Sequence, residues 1–513
     1  MRPPGRSRKR RFQNRITQIR LLWPAGARPT MRILTQAGLS TTVLLVHAPY
    51  PGDMKFRGVP SSMLAAIAPF AVSREGGAES IGYLDPVSAS PAFYGELTEL
   101  LRRGSVRVVC ISTSTAAIEE TRRIAAAVKA RAPGVLVVAG GPHEDDCEEP
   151  IAARLHDVDL SIGGTAEFAL DLVLREFLAR GETPERFLER LGTLLSRTRL
   201  PAGKCTVSCR AWQPGTTRTL DFGPLSANDL APRVLPDRLP SFSIFDAPTT
   251  LPIMVSRGCP YGRCTFCAEA IRGGGTLVSS EFSWIERLHA AHPNAAIYFQ
   301  DSIFPRGRVA RERLLPLLRE LGVEWGAQVY LRALTRSTVE ELATHGCTYL
   351  YTGLESASPD LLRAVGKPGV DPELALERLG WMRDHGVRAG VSLMFGVMAS
   401  TGELLETADT VRRTLDLAVA IRDAGVQVTG FYPNVQTVLP GTALARGLRA
   451  SGRDLDFFRM PRAGVFDVLE DGGVGYNFAT LDPSRAAGAL AETIRAAALT
   501  LQPAEPVLAA RAG

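Results

Sequence analysis

The sequence predicts an α/β protein of two successive units, a doubly wound parallel sheet and then a partial (β/α)6 barrel, with a small helical extension at the end. Two observations predict this fold class. From about residue 40, short apolar strands alternate with longer segments of helical periodicity, and the early strands run into polar or glycine-rich loops. After Pro252 the alternation resumes and supplies six more candidate strands, which as consecutive βα units predict a partial barrel.

Length and composition are those of a soluble globular protein with more than one core. The chain has 513 residues, of which 45% are hydrophobic and 22% are charged. A proline-rich run before Pro252 predicts a linker between the two units. The predicted organisation has five ranges: a basic arm at 1–30, the first sheet at 31–175, a linker region at 176–250, the barrel at 251–450, and an extension at 451–513 with an alanine-rich helix at 484–501.

The positive charge of the chain is concentrated at its beginning. The net charge is +6, yet residues 1–28 carry nine Arg and Lys and no acid, so the remainder is net acidic. Such an arm could be disordered and bind nucleic acid or direct targeting, but the favoured interpretation is an over-extended start, with the true beginning at Met31 and no nucleic acid as a partner. No apolar run approaches a membrane span. Eight unevenly placed cysteines do not form a secreted disulfide pattern, so a reducing cytoplasm is expected.

Strands of the first unit end in loops of small polar residues. The strands are predicted at 43–46, 106–111, 135–138 and 159–162, and the loops after the last three read Ser112-Thr-Ser-Thr115, Ala139-Gly-Gly-Pro-His143 and Gly163-Gly-Thr-Ala-Glu167. A doubly wound sheet binds its ligand at the carboxyl ends of its strands. These loops are therefore the predicted ligand edge.

Three cysteines, Cys259, Cys264 and Cys267, fall in the turn-rich stretch Arg257-Gly-Cys-Pro-Tyr-Gly-Arg-Cys-Thr-Phe-Cys267. Thiolates gathered on one loop are typical of a metal centre, because a short loop can direct several sulfurs at one point. The triplet therefore predicts a metal site near the start of the barrel.

Three interpretations of the triplet stay open at this level. Its C-x4-C-x2-C spacing is that of plant-type ferredoxins, but the next cysteine, Cys347, is far away for a fourth ligand. A zinc site could combine the last two thiols of the triplet with Cys205 and Cys209. The preferred interpretation is a [4Fe–4S] cluster held by three cysteines, with one iron open to a small molecule.

That preference rests on a resemblance. Gly-Cys-Pro-Tyr followed by Cys-Thr-Phe-Cys resembles the cluster loop of the radical S-adenosylmethionine (SAM) superfamily, in which the amino and carboxylate groups of SAM chelate the open iron. The resemblance places Phe266, the residue before the last cysteine, beside the adenine. The usual spacing in that family is C-x3-C-x2-C, so this chain has one extra residue between Pro260 and Arg263.

The ends of the predicted barrel strands match the superfamily in order along about 190 residues. The resemblance implies that Asp301, after the second strand, accepts the ammonium of SAM, and that Glu355 and Ser356, in Gly353-Leu-Glu-Ser, contact SAM. The full set of implied SAM contacts is Phe266, Asp301, Gln328, Arg332, Glu355 and Ser356, and Lys367 follows as it does in many relatives.

The loops of the first unit, taken in order, resemble the cobalamin-binding domain that precedes the barrel in one large radical SAM class. The resemblance implies that glycine backbone lies against the corrin, where a side chain would clash. The implied cobalamin contacts are Ser112, Thr113, Gly140, Gly141, Gly164, Thr165 and Glu167. The D-x-H-x-x-G motif that supplies a histidine to cobalt in other cobalamin proteins is absent, so His47 and His143 are expected to be ordinary loop residues.

The resemblance implies an enzyme that uses a [4Fe–4S] cluster, SAM and cobalamin. Its expected reaction is methylation of an unactivated carbon of a specialised metabolite or peptide through a 5′-deoxyadenosyl radical, with electrons from an external flavodoxin- or ferredoxin-type donor. Two alternatives stay open: a cobalamin-dependent ring closure, rearrangement or oxidation without methyl transfer, and a cofactor-sensing regulator that binds nucleic acid through its arm.

Overall fold

The computed structural model describes residues 41–49, 80–84, 90–200, 203–213, 215–223, 250–272, 274–277, 280–305 and 307–458. The predicted basic arm and the predicted helix at 484–501 lie outside these ranges. Within them, no helix has both the length and the apolar character needed to cross a membrane.

The first unit is a seven-stranded sheet with helices on both faces. Its strands are β1 Thr41–His47, β2 Ser80–Leu84, β3 Val108–Ser112, β4 Leu136–Gly140, β5 Leu160–Gly164, β6 Lys204–Cys209 and β7 Arg218–Asp221. Its helices are α1 Pro91–Arg102, α2 Ile118–Arg131, α3 Pro142–Asp146, α4 Ile151–Arg154, α5 Ala166–Arg180 and α6 Pro184–Arg197. The spatial order is β2-β1-β3-β4-β5-β6-β7, with β1 to β5 parallel.

Alternation along β1 shows why the sheet is covered on both faces. Val43 and Leu45 belong to one buried cluster, whereas Leu44 and Val46 belong to another. Successive side chains of a strand point to opposite faces, so a continuous apolar run is buried on both sides. Because β3, β4 and β5 are parallel neighbours, their carboxyl ends lie side by side at one edge of the sheet.

Part of the predicted linker belongs to this sheet. Strands β6 and β7 form an antiparallel hairpin, and β6 pairs antiparallel with β5. The first unit therefore extends beyond residue 175, and the predicted linker region at 176–250 includes α6, β6 and β7, while its residues 224–249 lie outside the described ranges. The pairing of an added edge strand depends on contacts distant in sequence, which local composition does not reveal.

The second unit is a six-stranded parallel sheet whose strands lie side by side in the order in which they occur along the chain. Its strands are β8 Thr250–Ile253, β11 Ala296–Phe299, β12 Trp325–Val329, β13 Cys347–Glu355, β14 Arg388–Phe395 and β15 Val428–Val435, and a separate antiparallel pair is formed by β9 Ser256–Arg257 and β10 Thr276–Leu277. Its helices are α7 Ser283–Ala291, α8 Leu315–Leu321, α9 Arg336–Thr344, α10 Pro359–Ala364, α11 Pro372–Asp384, α12 Ala408–Asp423 and α13 Ala443–Ala450.

The predicted fold class is confirmed: a doubly wound, mostly parallel sheet precedes an open barrel of six βα strands. The helix start predicted at Ser358 is confirmed as well, because its side chain accepts a hydrogen bond from the Leu361 backbone N–H and Pro359 occupies the first turn. One buried cluster contains residues of both units, including Phe177 on α5 and Trp325 on β12. The two units are thus packed on each other through a shared core.

Candidate functional site

The cysteine loop runs from β9 to β10, which close it as a two-stranded ladder. Backbone hydrogen bonds hold its middle: the Thr265 N–H donates to the Val365 carbonyl (3.0 Å), and the Leu444 N–H donates to the Thr265 carbonyl (2.9 Å). The Tyr261 hydroxyl donates to the Gly366 carbonyl at 2.7 Å. The loop is therefore fixed between the end of α10 and the start of α13, at the carboxyl ends of the barrel strands.

The three thiols of this loop are half-buried and close enough to affect one another. Burial raises the pKa of Cys264 to about 12, Lys367 lowers it, and Cys267 and Cys259 raise it further. Within the described residues, no three His, Cys, Asp or Glu side chains already converge at metal-binding spacing. Three soft sulfur donors on one anchored loop still fit an iron–sulfur cluster, and their role as ligands stays a prediction.

Phe266 joins the cysteine loop to the barrel through apolar packing. It lies against a cluster that contains Met398 and Leu444, and also against a second cluster that contains Met394 and Val397. The ring is therefore located beside the end of β14. A ring there is compatible with the predicted place beside an adenine.

The backbone at the end of β13 is strained at Glu355, whose carboxylate is held by a lysine. Glu355 is the one non-glycine residue with positive φ (65°) among the described residues, and the register between β13 and β14 shifts at this point. Its carboxylate accepts a hydrogen bond from Lys367 Nζ at 2.8 Å, and Lys367 also donates to the Gly353 carbonyl at 2.7 Å. A Cβ at Gly353 would lie 2.1 Å from Glu355 Oε1 and 2.6 Å from Lys367 Nζ. The Gly-x-Glu-Ser pattern thus builds a sheltered ion pair at the barrel mouth.

Two other predicted SAM contacts are engaged by the protein itself. Asp301 is 1% exposed, and its carboxylate accepts hydrogen bonds from the Val255 and Ser256 N–H groups and the Ser256 hydroxyl. Burial raises the pKa of Asp301 to about 6 despite these donors. Ser356 Oγ accepts from the Ser358 N–H at 3.1 Å and lies 3.2 Å from Thr414 Oγ1. These contacts position the backbone around the site.

The remaining two predicted SAM contacts lie on and just after β12. Gln328 alternates with Ala327 and Val329, which are buried in the core that packs on the helices, so it points to the opposite face. Arg332 is exposed, and its Nη1 is 3.4 Å from the Pro368 carbonyl oxygen. Both stay predictions as SAM contacts.

In the first unit, two glycines are required by neighbouring strands. A Cβ at Gly140 would lie 2.7 Å from the Ile162 carbonyl oxygen, and one at Gly164 would lie 2.5 Å from the Lys204 carbonyl oxygen. The sequence interpretation attributed these glycines to a corrin that lies against them. The structure supplies a reason within the sheet itself, so a role in cofactor contact stays a prediction for both.

The other predicted cobalamin contacts flank these glycines. Ser112 ends β3, Thr113 is 1% exposed, Gly141 has φ 105°, and the Thr165 N–H donates to the Lys204 carbonyl at 2.8 Å. All of them lie at the carboxyl edge of the sheet. The structure thus places the predicted set along one edge, as the strand order requires.

Unsatisfied polar atoms follow three adjacent strands at this edge. Ser114 Oγ after β3, His143 Nε2 after β4 and Glu167 Oε2 after β5 are buried without a hydrogen-bond partner among the described residues. Buried polar atoms are rarely left without a partner. A polar ligand at this edge would satisfy them, so the residues present fit a cofactor with many amide groups, such as cobalamin.

Salt bridges bring the cysteine loop onto the same edge. Arg257 pairs with Glu167, and Arg272 Nη2 donates to both oxygens of Asp146 at 3.0 Å. Burial raises the pKa of Asp146 to about 7, although Arg272 lowers it. The two predicted cofactor sites therefore face each other across one interface. The sequence offered Arg257 only as the start of the cysteine motif and no signal for Arg272.

The alternative ligands have other environments. His143 is fully buried in α3, its Nδ1 lies 3.1 Å from Thr115 Oγ1, and burial lowers its pKa to about 4. Cys205 and Cys209 are 2% and 4% exposed and pack in the core on β6. All eight cysteines lie in described ranges and are free thiols. The packing of the β6 thiols does not support a zinc site that joins them to the cysteine loop.

Comparison with known proteins agrees with this geometry. The sequence model of the radical SAM superfamily matches residues 253–417, the range that holds the cysteine loop and most of the barrel. This range is a radical SAM domain. An uncharacterized methyltransferase of Pyrococcus horikoshii is 24% identical to the chain over 359 residues, which are 68% of this chain and 71% of the relative.

Solved structures extend the likeness beyond the radical SAM domain. TsrM from Kitasatospora setae, a radical SAM methyltransferase solved with cobalamin and a [4Fe–4S] cluster, is 17% identical with a TM-score of 0.56 over 79% of this chain and 77% of its own. The cobalamin-dependent SAM radical enzyme OxsB is 14% identical with a TM-score of 0.55 over 82% of this chain and 63% of its own. The overall fold, including the sheet that precedes the radical SAM domain, is shared with both.

Proposed function

We propose that this chain is a cobalamin-dependent radical SAM enzyme that methylates an unactivated carbon. One observation carries the proposal: the cysteine loop of the radical SAM domain is held by ion pairs against the strand ends of the first sheet, where three buried polar atoms have no hydrogen-bond partner among the described residues. A reaction that uses both cofactors needs them to face each other. The interface supports the proposal because it brings the cysteine loop against the predicted cobalamin edge.

The residues that would hold each cofactor follow from the site. Cys259, Cys264 and Cys267 would ligate the [4Fe–4S] cluster, and Phe266 would flank the adenine of SAM. The loops after β3, β4 and β5 would hold cobalamin. With these cofactors bound, SAM cleavage supplies a 5′-deoxyadenosyl radical and cobalamin supplies the methyl group.

The chain contributes position and shelter rather than acid–base chemistry. The Glu355–Lys367 pair is nearly buried at the barrel mouth, and Lys367 links the end of α10 to the end of β13. Its two hydrogen bonds keep that strand end in one conformation. A site that excludes water and holds its groups rigidly favours productive capture of a radical.

Methyl transfer is the preferred outcome because two of the similar proteins carry that activity in their names. The substrate would be a small molecule or a peptide that enters between the two units. An external flavodoxin- or ferredoxin-type protein would supply electrons. The reducing cytoplasm is the proposed location, since thiolate ligands persist there.

Anaerobic reconstitution tests the proposal. Iron and sulfide content, optical spectra with hydroxocobalamin, and 5′-deoxyadenosine release with SAM and reductant are measured on the full chain. The expected result is about four irons per chain, bound cobalamin, and a product heavier by one methylene per turnover. An unchanged or dehydrogenated product mass would refute methyl transfer while leaving the radical chemistry intact, and zinc uptake without iron and sulfide would refute the whole proposal.

A matched pair of variants makes the test specific. Cys267→Ala removes a predicted ligand, whereas Cys347→Ala removes a buried free thiol on β13 that lies outside the site. Loss of iron and of 5′-deoxyadenosine only in the first variant supports the assignment. Equal behaviour of the two variants would contradict it.

A further inference from the structure

Two arginines fasten the cysteine loop to the first sheet, one near each end of the loop. Arg257, on β9 just before the first cysteine, pairs with Glu167 at the start of α5. Arg272, just after the last cysteine, pairs with Asp146 at the end of α3. Both acids therefore belong to the segments that follow β5 and β4, on the predicted cobalamin edge.

These pairs differ from ordinary surface ion pairs in their burial. The Glu167 and Asp146 side chains are 3% and 4% exposed, and those of Arg257 and Arg272 are 31% and 26% exposed. Water and salt screen such sheltered charges much less than exposed ones. Removal of the arginine would leave a buried carboxylate without its paired cation, which costs far more than the loss of a surface pair.

Arg272 also connects the interface to the segment that follows β11. Its guanidinium pairs with Glu269 within the loop, and its Nε lies 3.9 Å from Asp145 Oδ2. The other oxygen of Glu269 accepts a hydrogen bond from the Ser302 hydroxyl at 2.7 Å. A continuous set of contacts thus runs from the first sheet through the cysteine loop to the residues that follow β11.

Close backbone packing accompanies these charges. Gly441, before α13, has φ 68°, and a Cβ there would lie 2.6 Å from the Asp146 carbonyl oxygen. The segment that carries Asp146 is therefore in direct contact with the barrel side. Its carboxylate has little freedom to follow Arg272 if the loop moves.

We propose that Arg257 and Arg272 are positioning residues that set the distance between the cysteine loop and the loops after β4 and β5. Their chemical purpose rests on the proposed function, because the two cofactors must keep a fixed distance and orientation if a radical formed beside one is to be captured beside the other. The two ion pairs, Arg257–Glu167 and Arg272–Asp146, are called the clamp below. The clamp is a property of the chain itself and can be measured without either cofactor.

Hydrogen–deuterium exchange on the full chain without cofactors is the first test. Arg272→Gln removes the cation of this ion pair and Asp146→Asn removes its anion, so a folding defect in one variant does not decide the outcome. Each is expected to raise exchange in 258–272 and in 140–147 by roughly tenfold, since a sheltered pair is lost. The double variant is expected to be no worse than either single variant.

The matched control is Arg449→Gln. Arg449 pairs with Glu148 across the same two units at 2.8 Å, but the pair is 35% and 70% exposed and does not flank the cysteines. This variant is expected to leave exchange in 258–272 unchanged. Unchanged exchange in both Arg272→Gln and Asp146→Asn would overturn the clamp.

The second test measures coupling in the reconstituted enzyme as methylated product formed per 5′-deoxyadenosine released. Misplaced cofactors waste radicals, so Arg272→Gln is expected to lower this ratio several-fold, whereas simple loss of folded enzyme lowers both products equally. Faster exchange with an unchanged ratio would overturn the positioning role. If the wild-type chain releases no 5′-deoxyadenosine, the proposed function fails, and the exchange experiment alone still decides whether the clamp exists.

Discussion

Replacement of Lys367 by methionine should destabilise the protein strongly, because it leaves Glu355 in a sheltered position without its cation. The side chains of the pair are 11% and 10% exposed, and Nζ donates at 2.7 Å to Gly353 and at 2.8 Å to Glu355. Burial lowers the pKa of Lys367, but Glu355, with Cys264 and Cys267, raises it above its ordinary value, so the lysine is charged in the native state.

The magnitude follows from those two bonds. Each hydrogen bond from a charged donor contributes about 1.5–3 kcal/mol, and breaking a buried pair on one side costs about 3–5 kcal/mol. Lys367→Met should therefore lower the free energy of unfolding by about 3–5 kcal/mol. Because Glu355 also has a positive φ, its backbone conformation is expected to relax once Lys367 no longer holds the carboxylate.

Urea unfolding of the chain without cofactors, followed by circular dichroism, measures this loss as a lower midpoint. The double variant Lys367→Met/Glu355→Gln should recover at least half of the loss, because no charge is stranded. Arg363→Met is the matched control: it removes a neighbouring cation on α10 whose pair with Asp360 is 62% and 83% exposed, and it should cost under about 0.5 kcal/mol. A loss below about 1 kcal/mol for Lys367→Met, or no recovery in the double variant, would refute the reasoning.

Three other predictions test separate features. Cys264→Ala should abolish iron and sulfide retention after anaerobic reconstitution, measured by metal and sulfide analysis, whereas full retention would exclude this thiol as a ligand. Burial raises the pKa of Glu406 from 4.5 to about 7, so the charge of this carboxylate opposes folding as the pH rises through that range. In urea unfolding, Glu406→Gln should be as stable as wild type below pH ~5 and more stable by up to about 3 kcal/mol at pH ~8. Equal stabilities of the two proteins at both pH values would contradict this prediction. Gly164→Ala should cost about 2–4 kcal/mol, because its φ is 79° and a Cβ would meet Lys204 at 2.5 Å, whereas Gly181→Ala, with φ 60° and open space, should cost only about 1 kcal/mol by the same measurement; equal costs would show that the close approach is unimportant.

Much of the fold was accessible from local pattern alone. Apolar runs of strand length, separated by segments of helical period, predict both sheets, since burial on two faces requires such runs in a parallel sheet. The pairing of β6 was not predicted, because an antiparallel edge strand is recognised by its partner β5, which lies about 40 residues away in sequence. Local composition at Lys204–Cys209 does not contain that information.

The candidate site also has a part that the sequence predicted and a part that only the structure revealed. Cys259, Cys264 and Cys267 are recognisable because ligands on one short loop are kept together by the chain itself. Asp301 and Ser356 were named through the resemblance to radical SAM barrels, and the hydrogen bonds that engage them come from Val255 and Ser256 in one case and Ser358 and Thr414 in the other. Only the tertiary contacts revealed what these side chains hold.

By itself, the sequence determined the α/β class, the cysteine triplet and the glycine loops at the strand ends, because covalent spacing and side-chain period are local properties. Only the tertiary structure decided that Arg257 meets Glu167 and that Arg272 meets Asp146. Those pairs join residues about 90 and 126 positions apart. Charges so distant in sequence interact only after two sheets have packed on a shared core, and that packing is the sum of many weak contacts.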